Sequence, residues 1–126
     1  MPDKSQTVLV VDDDAAVRNA LKFALEVEGF SVKVYDRPSS LLAESDLPPG
    51  ACLVVDLRMP EMDGLELVNK LRERHVTMPA ILILSENATP LLRKRSREAG
   101  IADVLEKPLS DSALVESIRH VFKSTH

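Results

Sequence analysis

Residues 54–64 read VVDLRMPEMDG. An apolar run stops abruptly at Asp56, and two more acids follow, Glu61 and Asp63, with Pro60 and Gly64 among them. The run begins at Ala51. ACLVVD (51–56) therefore has the unbroken hydrophobicity of a strand covered on both faces, where strict alternation would mark a solvated one. Burying a charge is costly unless it is paired, so a carboxylate at the tip of such a strand calls for a partner.

The same rhythm extends in both directions. Upstream, TVLVV (7–11) is another short apolar run. Residues 14–28 then change period: Val17, Ala20, Leu21, Ala24 and Leu25 fall on one face of a helix, and Gly29 stops it. SVKVY (31–35) alternates, as an edge strand does. Pro38 opens a short helix through Leu41 and Leu42, closed by the Pro48-Pro49-Gly50 turn. Downstream, residues 64–75 are helical with Leu65, Val68 and Leu71 inward, and AILIL (80–84) follows Pro79 as a strand. Residues 88–99 form a helix poor in apolar residues, DVLE (103–106) a fifth strand, and 111–123 a closing helix with Leu114, Val115, Ile118, Val121 and Phe122 inward. Strands alternating with helices define a doubly wound α/β fold, a parallel sheet between two helical layers with right-handed crossovers.

Composition narrows the function classes. A chain of 126 residues with 44% apolar content is one domain with a real core. Aromatics at 3% give no platform for stacking nucleobases, and a formal charge of −4 disfavours direct nucleic-acid binding. A lone cysteine, Cys52, and the absence of a signal-like or bilayer-length apolar stretch predict a cytoplasmic location and no membrane contact. The ordered core is expected over about residues 7–122.

In a parallel α/β sheet, ligands bind beyond the carboxyl ends of the strands. The first strand is followed by Asp12, Asp13 and Asp14, the third by Asp56, the fourth by Ser85 and Glu86, and the fifth by Lys107 and Pro108. Two carboxylates about 4 Å apart repel by roughly 4 kcal/mol at an effective dielectric of 20. A divalent cation and Lys107 together would neutralise Asp12, Asp13 and Asp56, and an all-oxygen donor set favours a hard ion such as Mg²⁺. Carboxylates also accept phosphoryl groups covalently. That makes Asp56 a nucleophile candidate, with Lys107 and the Ser85 hydroxyl facing the phosphoryl oxygens.

These motifs, VVDDD, VVDLRMPEMDG, ILILS and EKP in that order, resemble the receiver domain of two-component response regulators, over about residues 7–122. The DLRMPEMDG wording resembles receivers linked to helix-turn-helix transcriptional output domains. The resemblance implies a flavodoxin-like five-stranded parallel sheet of order 2-1-3-4-5 with five flanking helices. It implies a signalling switch that accepts a phosphoryl group from a sensor histidine kinase onto Asp56. Such a domain promotes only its own phosphorylation and dephosphorylation and turns over no external substrate. It further implies that Asp13, Asp56 and the Arg58 backbone carbonyl ligate Mg²⁺ with Asp12 beside them, that Ser85 is the switch hydroxyl, and that the Lys107–Pro108 bond is cis.

Two positions depart from the family pattern. Val104 stands where an inward-moving aromatic is usual, and Glu86 where a small residue is usual. The one basic cluster, with Arg93, Lys94, Arg95 and Arg97, is either a solvated helix face or a homodimer surface. In the latter case the resemblance implies a face made of the fourth helix, fifth strand and fifth helix, on which these cations would meet Asp103, Glu106 and Asp111 of a second copy. Two other readings stay open: a hydrolase using Asp12 and Asp14 in a D-x-D pattern, and a receiver that binds partners without phosphate.

Overall fold

The structure, a computed structural model, describes residues 6–85 and 87–125, with nothing described for the side chains of Asp111 and Thr125. Elements follow in the order β1 (Thr7–Val11), α1 (Ala15–Val27), β2 (Ser31–Tyr35), α2 (Pro38–Leu42), β3 (Cys52–Asp56), α3 (Gly64–Glu73), β4 (Ala80–Leu84), α4 (Pro90–Glu98), β5 (Ile101–Glu106) and α5 (Asp111–Thr125). All pairings are parallel, and the sheet order is β2-β1-β3-β4-β5, as expected.

The unbroken apolar runs divide by alternation between two cores. Leu9, Val11, Leu53, Val55, Leu82 and Leu84 pack with Leu41, Leu65, Leu67, Val68 and Leu71 on one face. Val8, Val10, Cys52, Val54, Ile81 and Ile83 pack with Leu25, Leu114, Ile118, Val121 and Phe122 on the other. Thus α1 and α5 cover one side of the sheet, and α2 and α3 the other. The alternating strand β2 lies at an edge, as its pattern predicts.

Local chemistry sets the element ends. Asp14 caps α1, accepting from the amides of Ala16 (2.9 Å) and Val17 (3.3 Å). Asp63 and Glu66 form a reciprocal capping box at α3. Gly29, at φ 99°, takes the left-handed turn after α1.

Two expectations need correction. Strand β5 starts at Ile101 rather than 103: Ile101 pairs with Ala80 while Asp103 pairs with Ile81, so Ala102 is an extra residue that interrupts the pattern. In α1, Ala20 is exposed and only Leu25 is fully buried.

Helix α4 is the thinly held element. Its one buried residue is Ser96, whose hydroxyl has no hydrogen-bond partner among the described residues. A buried unpaired hydroxyl costs about 1–3 kcal/mol. By contrast, Arg72 of α3 fixes the loops at the opposite end of the sheet, donating to the carbonyls of Val76, Met78 and Ala99 at 2.9 Å each and Gly100 at 3.2 Å.

Cys52 is fully buried, and burial pushes its thiol pKa up to about 12. The native protein is expected not to react with a disulfide-exchange reagent at neutral pH, and to react fully once unfolded; rapid native reaction would contradict this packing.

Candidate functional site

Three of the strand ladders run one residue past a strand end, and that extension positions the polar residues. The Asp12 amide donates to Tyr35 O at 3.2 Å, the Leu57 amide to Ile83 O at 2.9 Å and the Lys107 amide to Leu84 O at 2.7 Å. Asp12 after β1, Asp56 as the last residue of β3 and Lys107 after β5 therefore meet at one rim. Asp12 and Asp56 are only 3% and 6% exposed.

Lys107 Nζ lies 3.1 Å from Asp56 Oδ2, and the Arg58 amide donates to Asp56 Oδ1 at 3.2 Å. The Asp14 amide donates to Asp12 Oδ1 at 2.9 Å, and Arg18 Nη1 to the Asp12 carbonyl at 2.8 Å. Asp13 is exposed beside them, and Ser85 is exposed just beyond β4. The Lys107–Pro108 bond is cis. Glu86 lies outside the described residues, so the reading placed on it does too.

Gly64 is required by proximity. A Cβ there would sit 2.5 Å from Asp56 O and 3.0 Å from Val55 Cγ2. Its amide also closes the loop by donating to Leu57 O at 2.9 Å. Gly64→Ala is expected to destabilise the fold by about 1–3 kcal/mol in urea denaturation, since the β3 backbone under Asp56 must shift; an unchanged midpoint would contradict this contact.

Three carboxylates, with Lys107 on Asp56 and Arg18 on the Asp12 carbonyl, leave the site with surplus negative charge. Asp12 shows the strain: burial raises its pKa above the ordinary 3.8, and Asp56 and Asp13 add to the rise, while the Asp14 amide and Lys107 oppose it. The donors are all oxygens, which fits a hard cation. Among the described residues, no group of three or more His, Cys, Asp or Glu side chains is gathered to hold a metal by itself. An ion here would need carbonyl or water oxygens as well.

The D-x-D hydrolase reading is disfavoured. Asp14, its acid/base candidate, is spent as the α1 cap, and the amine at this rim pairs with Asp56, not Asp12. The acids expected across a dimer interface are also occupied. Asp103 accepts from Ser117 Oγ at 2.6 Å and the Val104 amide at 2.9 Å, and Glu106 accepts from the Ala88 amide at 3.1 Å. The Asp111 side chain lies outside the described residues. The cations Arg93, Lys94, Arg95 and Arg97 are exposed, and Val104 is half-buried against the core.

With this geometry in place, comparisons with known proteins agree. A family model described as response regulator receiver domain matches residues 8–119. The chain is 37% identical over 112 residues to the transcriptional regulatory protein FixJ of Rhizobium meliloti (strain 1021), covering 89% of this chain and 54% of that protein. It is also 37% identical over 122 residues to the C4-dicarboxylate transport transcriptional regulatory protein DctD of Pseudomonas aeruginosa, covering 96% of this chain and 26% of that one. The crystal structure of FixJ-N superposes with a TM-score of 0.86 at 35% identity, covering 98% of this chain and 96% of that one. The chain belongs to the response regulator receiver domain family, whose members act in phosphorylation-dependent signalling. Receivers of this family generally bind Mg²⁺ at the phosphorylation site and take phosphoryl groups from histidine kinases. The chain spans about half the length of the FixJ relatives it matches. No helix among the described residues is long and apolar enough to cross a membrane.

The raised pKa of Asp12 has a definite sign. The folded state holds this proton more tightly than the unfolded chain, so ionised Asp12 costs stability at neutral pH. The cost fades as pH falls through the raised value. Asp12→Asn keeps an acceptor for the Asp14 amide and removes the charge. The metal-free variant is expected to be more stable at neutral pH, with the gain shrinking as pH falls through the raised value and gone below the ordinary 3.8. A variant less stable than the parent at neutral pH would contradict this.

Proposed function

We propose that Asp56 is the phosphoacceptor of a signalling switch served by a sensor histidine kinase. The observation that carries this reading is the buried Asp56 carboxylate, held on one oxygen by Lys107 Nζ at 3.1 Å and on the other by the Arg58 amide at 3.2 Å. An Asp56 oxygen attacks phosphorus, the P–N bond to the kinase imidazole breaks, and its electron pair leaves on nitrogen, which takes a proton. Lys107 then transfers its ammonium contact from a carboxylate to a phosphoryl oxygen, and the Ser85 hydroxyl donates to another. Asp13, Asp56 and the Arg58 carbonyl would hold Mg²⁺, with Asp12 adjoining. Bound there, the ion supplies positive charge against the phosphoryl oxygens.

The domain, residues 7–122 at its core, changes its own phosphorylation state and no other substrate. Its place is the cytoplasm, and the relatives named as transcriptional regulators support an output in transcriptional control. The domain itself contacts neither nucleic acid nor membrane, consistent with its −4 charge. Self-association through α4, β5 and α5 would use Arg93, Lys94, Arg95 and Arg97, and would require Asp103 and Glu106 to share or leave their internal partners.

Incubation with a small acyl phosphate and Mg²⁺, followed by intact mass, tests the reading. The parent is expected to gain one phosphoryl group, Asp56→Asn none, and Lys107→Ala to label about 10²-fold more slowly. Undiminished labelling of Asp56→Asn would overturn it.

A further inference from the structure

Helix α4 gains little from the core. Leu92 is half-buried, Ser96 buries a hydroxyl with no partner among the described residues, and Leu91 is 56% exposed. Its outer face carries Arg93 and Arg97 one turn apart, a repelling pair, with Lys94 and Arg95 between. The helix is therefore held mainly at its ends. At the C-terminal end, Arg72 binds the carbonyls of Ala99 and Gly100. At the N-terminal end, Thr89 caps the helix locally, accepting from the Leu92 amide at 3.1 Å. A tertiary hydrogen bond there comes from Glu106, whose Oε2 accepts from the Ala88 amide at 3.1 Å, beside the packing of Ala88 on the core.

Glu106 is the residue before Lys107. It pairs with Leu84 as the last residue of β5, and the Lys107 amide donates to Leu84 O at 2.7 Å. One short, backbone-anchored segment thus carries both the amine on Asp56 and the carboxylate on the loop leading into α4. Val104, further back on β5, offers no large side chain to couple the two places.

We propose that Glu106 is a positioning residue that couples the charge state of Asp56 to the attachment of α4. This deepens the phosphoacceptor reading and rests on it. While Lys107 pairs with Asp56 Oδ2, Glu106 is held where it meets the Ala88 amide. When Lys107 moves to a phosphoryl oxygen, the segment shifts, the Glu106–Ala88 bond opens and the N-terminal end of α4 is released. The cationic face of α4 is then presented in a different position.

Amide hydrogen exchange read by mass spectrometry tests the coupling, with intact mass taken on the same samples. The parent protein, Glu106→Ala, Glu106→Gln and Ser96→Ala are compared with and without acyl phosphate and Mg²⁺. Unphosphorylated Glu106→Ala is expected to exchange about tenfold faster over residues 87–93, matching the phosphorylated parent. Glu106→Gln keeps an acceptor oxygen and stays near the parent. Ser96→Ala slows exchange in α4. Peptides from α1 and α5 are unchanged throughout. Parent-like exchange at 87–93 in Glu106→Ala, or faster exchange spread equally over α1 and α5, overturns the coupling. A phosphorylated parent unchanged at 87–93 overturns it too, and leaves the phosphoacceptor reading standing. No gain in mass sinks that reading, and the coupling with it.

Discussion

A carboxylate at the end of a strand covered on both faces is stable only if something positive reaches it, and here that is the amine of Lys107, 3.1 Å from Asp56. Asp56 is delivered by β3 and Lys107 by the turn after β5, two strands away in the sheet. Their meeting depends on the parallel register, the ladder bonds beyond each strand, and Gly64 allowing its loop to close on the Asp56 carbonyl. The pair is unevenly sheltered: 33% of the Lys107 side chain is exposed against 8% of Asp56, so the amine reaches solvent while the carboxylate depends on a positive partner.

The neighbouring acids turn this pair into a site. Asp12 is buried with a raised pKa, and Asp13 stands exposed next to it. A fold selected for stability alone would not gather these charges. They store a demand for positive charge that a bound cation would satisfy, and that the added negative charge of a phosphoryl group would increase. The same economy shows in the turn after β1: Asp12 orders the Asp14 amide, and Asp14 caps α1. Consecutive acids thus take separate structural tasks while keeping one charged rim.

Much of this was legible in the sequence, because periodicity and punctuation report backbone directly. The boundaries of β1, β2 and β4 coincide with their apolar runs, and the edge position of β2 follows from its alternation. The rim acids and Lys107 were legible because parallel sheets bring strand ends together. The rest was hidden for physical reasons. The extra residue Ala102 breaks the β5 pattern, which only its pairing with β4 reveals. The Arg72 clamp, the Asp103–Ser117 bond and the Glu106 tie join residues whose proximity no local pattern encodes. They also give Asp103 and Glu106, two acids expected at a homodimer surface, partners within the chain. The burial of the Ser96 hydroxyl, without a partner among the described residues, depends on how α4 packs and has no local sequence pattern.

The central claim is that acids from two strand ends and an amine from a third form one cation-seeking cluster. A Mg²⁺ titration followed by backbone amide NMR measures this most directly. Saturable shifts are expected, centred on residues 12–14, 56–58 and 107, and absent when Asp13 is replaced by Asn. Shifts that fail to saturate, or that centre elsewhere on the molecule, would contradict it.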